Sequence, residues 1–362
     1  MTIHTDYTDR DNWNAFIEKQ NHFSLLQSWD WGEFKKRLGW RVRRIGLEKK
    51  GELVAGAQIL IKSFIPGLSS FAYIPRGPLV DWNDRETTGI LFDTIHKKAR
   101  KHKAICLRIE PPLLHTPENL QLIQAYGFQA SAQTIQPRCT MIIQLPEDME
   151  KLLQSFPNYL RNNIRRAQRK GVEVDIGTQE DLNTFYQFMK VTSQRANFPI
   201  RSGEYYEHEW KTFHPLGQAQ LFIARYKDTP IAAKLSVRFG EHSAAFHAAS
   251  LQEYHGLRAN DLVWWTAIKW ARDQGCLTYD LWGIPDEVGE MTIRNEAIPE
   301  GMSGGLWGVY YYKRHYSGDV VYYVGAYDYV YSPVLHKSLE FMSSHVFSID
   351  RLARIADRFI KP

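Results

Sequence analysis

Apolar and polar residues alternate through RVRRIGLEKKGELVAGAQILIK, residues 41–62, which predicts two strands around a Lys-Lys-Gly turn. FAYIPRGPLV (71–80) predicts a third strand, ILFDTIHKKARKH (90–102) a helix, and the continuous apolar run AICLRIEP (104–111) a buried strand. About 170 residues downstream the same order returns, the mark of a domain-sized internal repeat. AQLFIARYKDTPIAAKLSVRFG (219–240) reads as a hairpin around Asp228 and Pro230, and SAAFHAAS (243–250) as a third strand. LVWWTAIKWARDQG (262–275) follows as a helix ended by Gly275, and CLTYDLWGI (276–284) as a strand. Hairpin, strand, helix and strand, twice over, predict two α/β domains of one architecture, each a mixed sheet flanked by helices. The join is expected near QLPEDME (144–150), where Pro146 ends a strand and acids open a helix. This gives one domain over 1–145 and a second over 146–331, with DVVYYVGAYDYVY (319–331) as one more strand. A terminal helical segment, 332–362, opens at Ser332 and Pro333 and is expected to pack back on the first domain.

One predicted helix is unusual in its charge. YLRNNIRRAQRKGVEV (159–174) carries Arg161, Arg165, Arg166, Arg169 and Lys170 with no acid among them, and Gly171 ends the helix. Arg161, Arg165 and Arg169 recur every four residues along one face, while Leu160, Ile164 and Ala167 point elsewhere. A solvated face normally mixes Glu with Lys, and a face of one sign repels itself unless an anion meets it. The whole chain has a net charge of only +5, so a localised anionic partner is expected rather than coating of DNA.

The 362 residues exceed one ordinary core and suit two domains. With 44% hydrophobic and 13% aromatic residues, extended disorder is not expected. Cys106, Cys139 and Cys276 lie far apart in apolar surroundings, which fits neither a disulfide framework nor a zinc site and suits a reducing cytoplasm. The opening MTIHTDYTDRDNWNAF has no basic stretch followed by an apolar one, and no apolar run approaches 18 residues. Neither secretion nor membrane spanning is therefore expected.

Familiar catalytic patterns are weak or missing. GMSGG (301–305) fits GxSxG, but RNEAIPE precedes it where a buried strand is required, so Ser303 is expected in a loop. HExxH, P-loop and GxGxxG patterns are absent, and the histidines show no ligand spacing, so no metal or other cofactor is expected. HGLRAND (255–261) could present helix N–H groups to a phosphate, with ordinary capping by Asn260 or Asp261 as the competing reading.

Several stretches together resemble the FemABX family of peptidoglycan-bridge aminoacyltransferases. They are LLQSWDWGEFKKRLGW, YIPRGPLV, TIQPR, LRNNIRRAQRKGVEV, RSGEYY, TYDLWGI, YKRHYSGDVVYYVGAYD and SPVL, in family order from residue 25 to residue 335. The resemblance implies two tandem domains similar to the GNAT acyltransferase fold, here in the shorter form without a long helical hairpin. It implies transfer of an aminoacyl group from aminoacyl-tRNA to an amine of a UDP-linked or lipid-linked peptidoglycan precursor, with peripheral contact at the cytoplasmic membrane face. Carried over by motif, Lys35, Arg201 and Tyr205 match precursor-binding positions, and Lys313 in VYYYKRHY matches a lysine implicated in the transfer step. The third strand of the second domain usually offers the precursor a tyrosine; here His247 stands at that position. Arg161, Arg165 and Arg169 become candidates for the tRNA backbone.

This chemistry explains the missing nucleophile. The donor ester is already activated and the acceptor is an amine, so the needs are a neutral amine and a place for the tetrahedral oxyanion. At pH 7 a lysine amine of pKa about 10.4 costs roughly 4.6 kcal/mol to deprotonate, so a proton acceptor is expected. Glu110 and Asp280, at strand ends, are the carboxylates placed for it, with pairing to an arginine such as Arg108 as the competing role and the ester's own ribose hydroxyl as an alternative acceptor. An acyl-CoA-dependent N-acyltransferase and a non-enzymatic RNA-binding module remain the rival functions.

Overall fold

The computed structural model describes residues 1–196 and 198–345. They form two compact units, Met1–Arg138 with the described residues from Tyr322 onward, and Cys139–Val321.

In the first unit β1 (Thr2–His4), α1 (Arg10–Glu18) and α2 (Trp29–Arg37) precede the expected hairpin of β2 (Arg41–Lys49) and β3 (Glu52–Ile65). Lys50 and Gly51, both at positive φ, make the tight turn whose twist suits a two-residue hairpin. β4 (Ser69–Pro75) runs parallel to β5 (Ala104–Glu110), and α3 (Arg85–Lys101) makes the crossover. The helix begins five residues before its apolar pattern is legible, because Asp84 accepts a hydrogen bond from the Thr87 N–H at 3.1 Å and caps it. Every residue of β4 and β5 is buried, as expected for strands covered on both faces. Leu91 and Ile95 of α3 pack into the core formed with Ile45, Ile59 and Leu107. α4 (Pro117–Ala125) and the short β6 (Gln129–Ala130) complete this run.

The second unit takes up the chain at β7 (Cys139–Gln144), followed by α5 (Met149–Ser155), α6 (Asn158–Arg169), β8 (Val172–Ile176), α7 (Leu182–Ala196) and α8 (Gly203–Phe213). The repeat then reappears: β9 (Ala219–Tyr226) and β10 (Thr229–Phe239) are joined through Lys227 and Asp228, again both at positive φ. β11 (His242–Ser250), α9 (Ala259–Asp273) and β12 (Thr278–Asp280) form the parallel crossover. α10 (Asp286–Ile293), α11 (Trp307–Lys313) and β13 (Asp319–Tyr322) follow. The chain then returns to the first unit as β14 (Tyr327–Val330) and α12 (Pro333–His345).

The two seven-stranded sheets have matching orders, β1-β2-β3-β4-β5-β14-β6 and β8-β9-β10-β11-β12-β7-β13. In each, the strand antiparallel to the end of the crossover comes from far along the chain: β14 on β5, and β7 on β12. This moves the domain limits. β7 belongs to the second sheet, so the second unit starts at Cys139 rather than after residue 145, and β14 belongs to the first. DVVYYVGAYDYVY is accordingly two strands of different sheets rather than one. Alternation reveals a strand but not which sheet receives it. α12 packs against β5 of the first unit, as expected for Pro333–His345, while 346–362 of the terminal segment lie outside the described residues. Among the described residues no helix is long and apolar enough to cross a membrane.

Candidate active site

Lys313 is the last residue of α11 and is 6% exposed. Its Nζ donates to the carbonyl oxygens of Trp282 at 2.9 Å and Gly283 at 2.8 Å. Those carbonyls lie in the turn after β12, which ends early because the Asp280 carboxylate accepts a hydrogen bond from the Trp282 N–H at 2.7 Å. Trp282 takes a left-handed conformation with φ of 67°. Asp280 also accepts the Thr140 hydroxyl of β7. The predicted strand CLTYDLWGI is thus cut to three residues by a side chain competing for its backbone. Burial pulls the Lys313 amine down to about 7 against the opposing pull of Asp280, so it exchanges between charged and neutral forms near neutrality.

A second group gathers around α8. Arg201 precedes the Ser202 N-cap, and its guanidinium lies 5.3 Å from the Tyr205 ring centroid. Tyr205 meets Tyr206 at 5.9 Å, and Tyr206 stands edge-on to His247 of β11 at 5.0 Å. His247 Nε2 lies 3.0 Å from Glu209 Oε2, also on α8. Three of the expected substrate residues, Arg201, Tyr205 and His247, are therefore neighbours. Phe246 links them to the lysine: its ring meets His247 at 6.0 Å and Trp282 at 5.0 Å, and the Trp282 carbonyl holds Lys313.

The remaining expected residues are elsewhere. Lys35 is in the first unit, in the last turn of α2, 8% exposed, with Nζ 5.0 Å from the Trp31 ring centroid. On α6, Leu160, Ile164 and Ala167 are buried and the helix packs on α9. Arg165, Arg166 and Arg169 are exposed, but Arg161 is half-buried and bends back to the Gln154 carbonyl at 2.8 Å and to the Asn158 side chain. Ser303 lies in an exposed loop. At HGLRAND the expected capping by Asn260 or Asp261 does not occur: Arg258, at φ of 61°, is the N-cap of α9 and makes no side-chain cap bond. A cavity of about 380 Å³ opens beside this helix start, lined by Arg195, Ser250, Tyr254, His255, Arg258 and Tyr312.

Glu110 is not available as a base. It accepts the Tyr73 hydroxyl and the Ile135 and Gln136 N–H groups, at 2.6 and 3.1 Å for the last two, and burial raises its carboxyl. Arg108 pairs with Asp328 rather than Glu110, through bonds of 2.8 and 2.7 Å. Asp328 gathers with Cys106 and His336, but Arg108 takes both its oxygens and His336 Nε2 lies 3.1 Å from one. This is an ion-pair network fixing α12 to the sheet, with no carboxylate oxygen left uncommitted for a cation.

Two buried groups escaped sequence reading. Lys234, in the middle of β10, is fully buried; its Nζ has no hydrogen-bond partner and lies 3.3 Å from the Trp264 ring centroid. Glu209 is also fully buried, with Oε1 unpartnered. The signals existed: Lys234 interrupts the apolar run IAAKLSV, and Glu209 falls on the stripe Tyr206, Trp210, Phe213, where an apolar residue belongs.

The comparisons with known proteins agree with this architecture. The FemAB family profile matches residues 8–226, more than half of the chain, and an acetyltransferase (GNAT) domain profile matches residues 154–314. Lipid II:glycine glycyltransferase of Staphylococcus aureus (strain MRSA252) is 33% identical over 238 residues, covering 63% of this chain and 56% of that protein. The protein of the same description from strain N315 gives the same figures. The chain spans about half the length of the curated relatives it matches. Among solved structures, FemX superposes with a TM-score of 0.82 at 24% identity, covering 94% of this chain and 100% of that one. A tandem GNAT protein from the clavulanic acid biosynthesis pathway gives 0.52 at 10% identity, covering 88% and 93%. Those two structures establish the fold: two GNAT-like domains in tandem. With its matching profile over more than half its length and the doubled sheet expected of it, the chain belongs to the FemAB family.

Proposed function

We propose that this protein is an aminoacyltransferase that moves an amino acid from aminoacyl-tRNA to an amine of a lipid-linked peptidoglycan precursor, building an interpeptide bridge. The observation that carries the reading is the 33% identity over 238 residues to proteins named lipid II:glycine glycyltransferase. The site chemistry supports it. An ester donor and an amine acceptor need no serine or cysteine nucleophile, and Ser303 is a loop residue while the three cysteines are buried. Lys313, held by two carbonyls, supplies a cation for the developing oxyanion in its protonated form. In the second unit Arg201 supplies a cation suited to a precursor phosphate, and Tyr205 a hydroxyl and a flat ring for a sugar or base; in the first unit Lys35 is a separate candidate cation for the precursor. The cavity at the uncapped start of α9, with Arg195 and Arg258 on its wall, suits a donor that carries phosphate. Exposed Arg165 and Arg169 suit the tRNA backbone without base reading, with Arg161, in the first turn of the helix and bonded to Gln154, as the third candidate. The work is done at the cytoplasmic face of the membrane, where the lipid-linked acceptor is reached peripherally.

The same cavity favours a second reading, an acyl-CoA donor, since its phosphates have the same needs. Purified protein given a pool of charged tRNAs and a lipid-linked pentapeptide separates the two. A precursor mass increased by an aminoacyl residue supports the first reading; calorimetric binding of acyl-CoA without such transfer supports the second.

A further inference from the structure

We propose that His247, oriented by Glu209, is the proton acceptor for the incoming amine. This rests on the aminoacyl transfer proposed above and supplies the base that the reaction needs. The sheet itself aims the imidazole. Leu235 of β10 pairs with His247 and the next residue, Ser236, with Ala245, so Phe246 is an extra residue and β11 carries a bulge there. A bulge re-aims side chains and is frequent beside active sites. Here it brings the consecutive rings of Phe246 and His247 into contact at 6.0 Å, where a regular strand would send them to opposite faces.

Glu209 fixes the ring. Its carboxylate is fully buried and can only accept, so at 3.0 Å it takes the Nε2 proton of His247 and leaves Nδ1 with the lone pair. The His247 side chain remains 19% exposed, against 1% for Glu209, so the acid is the more hidden of the pair. The groups placed against the imidazole are Glu209 and Tyr206 from α8, Phe185 from α7 and Phe246 from its own strand, and Leu235 is its register partner on β10. Burial raises the Tyr206 hydroxyl with Glu209 adding to the effect, so Tyr206 stays neutral and Glu209 is the charge that answers an imidazolium. A buried carboxylate with one oxygen unpartnered is costly for a purely structural role; compensation of a cation formed during turnover gives it a reason.

The proton count closes. The acceptor ammonium first releases one proton to solvent; the neutral amine then attacks the ester carbonyl carbon, forming the C–N bond, and its nitrogen passes its second proton to His247 Nδ1. As the tetrahedral intermediate collapses, the C–O bond to the ribose breaks and the imidazolium returns that proton to the ribose oxygen, leaving an amide and a free hydroxyl. Glu209 gains no proton; it is a positioning residue.

The test uses the full chain, a pool of charged tRNAs and a lipid-linked pentapeptide, with kcat and KM measured separately. His247→Asn is expected to lower kcat by about 10²–10⁴-fold with precursor KM nearly unchanged. Added imidazole is expected to restore part of the activity of His247→Ala, and Glu209→Gln to lower kcat at least ~10-fold. Transfer by the unaltered protein together with normal kcat in His247→Asn overturns the dyad alone. A rise in KM with kcat intact also overturns it, making His247 a binding residue. Absence of transfer by the unaltered protein instead overturns the proposed function, and the dyad with it. If Glu209→Gln unfolds, the His247 variants, altered at a partly exposed side chain, still decide.

Discussion

Lys234→Met is expected to make the second unit more stable. Lys234 Nζ is fully buried, lacks a hydrogen-bond partner and lies over the face of Trp264. Burial, with the nearby Lys313 charge, holds its amine well below the usual lysine range, so folding must strip a proton from a group charged in the unfolded chain. Methionine has similar length, keeps a favourable sulfur–ring contact and has no proton to lose. An unsatisfied buried polar group alone costs about 1–3 kcal/mol, so relief of at least that size is expected. For a unit of this size that is a rise in Tm of roughly 2–12 °C. The gain has a defined pH dependence. Between the lowered folded value and the ordinary value of 10.5 the unfolded chain binds more protons, so the unaltered protein gains stability as pH rises through that window. The advantage of Lys234→Met should therefore be largest at neutral pH and shrink toward pH 10. Calorimetry of both proteins from pH 6 to 10 measures it. A loss of stability, or a gain independent of pH, would refute the assignment of Lys234 as a buried neutral amine without a partner.

Other consequences concern both units. Asp328→Asn leaves the Arg108 guanidinium buried without its carboxylate and should destabilise the first unit by about 3–5 kcal/mol in chemical denaturation. The hydrogen bond to Asp328 raises His336, so its contribution is fully present below the unfolded value near 6.5 and is lost as pH climbs through the raised folded value; His336→Asn should abolish that part of the pH dependence. Lys313→Met is expected to cut kcat about 10²–10³-fold, whereas Lys313→Arg should remove the alkaline limb near 7 from the pH profile, because its charge does not titrate. Replacing Arg165 and Arg169 by Gln should reduce the salt dependence of charged-tRNA use by a log–log slope of about 1.4–1.8, with precursor KM unchanged; an unchanged slope would separate α6 from the tRNA.

The duplicated hairpin, strand, helix and strand were legible because each element carries its own periodicity, and the turns at Lys50–Gly51 and Lys227–Asp228 lie within the predicted hairpins. The destination of β7 and β14 was not, since an alternating strand fits either of two similar sheets. The extent of β12 was hidden for a different reason: Asp280 captures the Trp282 N–H, a side-chain event that hydropathy does not register. Among the candidate site residues, Arg201, Tyr205 and Lys313 could be singled out by motif. Glu209 could not, because its meaning comes from His247, 38 positions away, and from a bulge at Phe246 that only strand register reveals. Glu110 looked like a base by its strand-end position, yet the loop at Ile135 and Gln136 folds back to occupy it.

The central claim is aminoacyl transfer, and mass spectrometry of the acceptor tests it most directly. The full chain is incubated with a lipid-linked pentapeptide and a tRNA pool charged with all amino acids, with an uncharged pool as control. The expected result is a precursor heavier by an aminoacyl residue, dependent on charged tRNA and lost in Lys313→Met. An unchanged precursor mass with the charged pool, alongside acyl transfer to an amine from acyl-CoA, would contradict it.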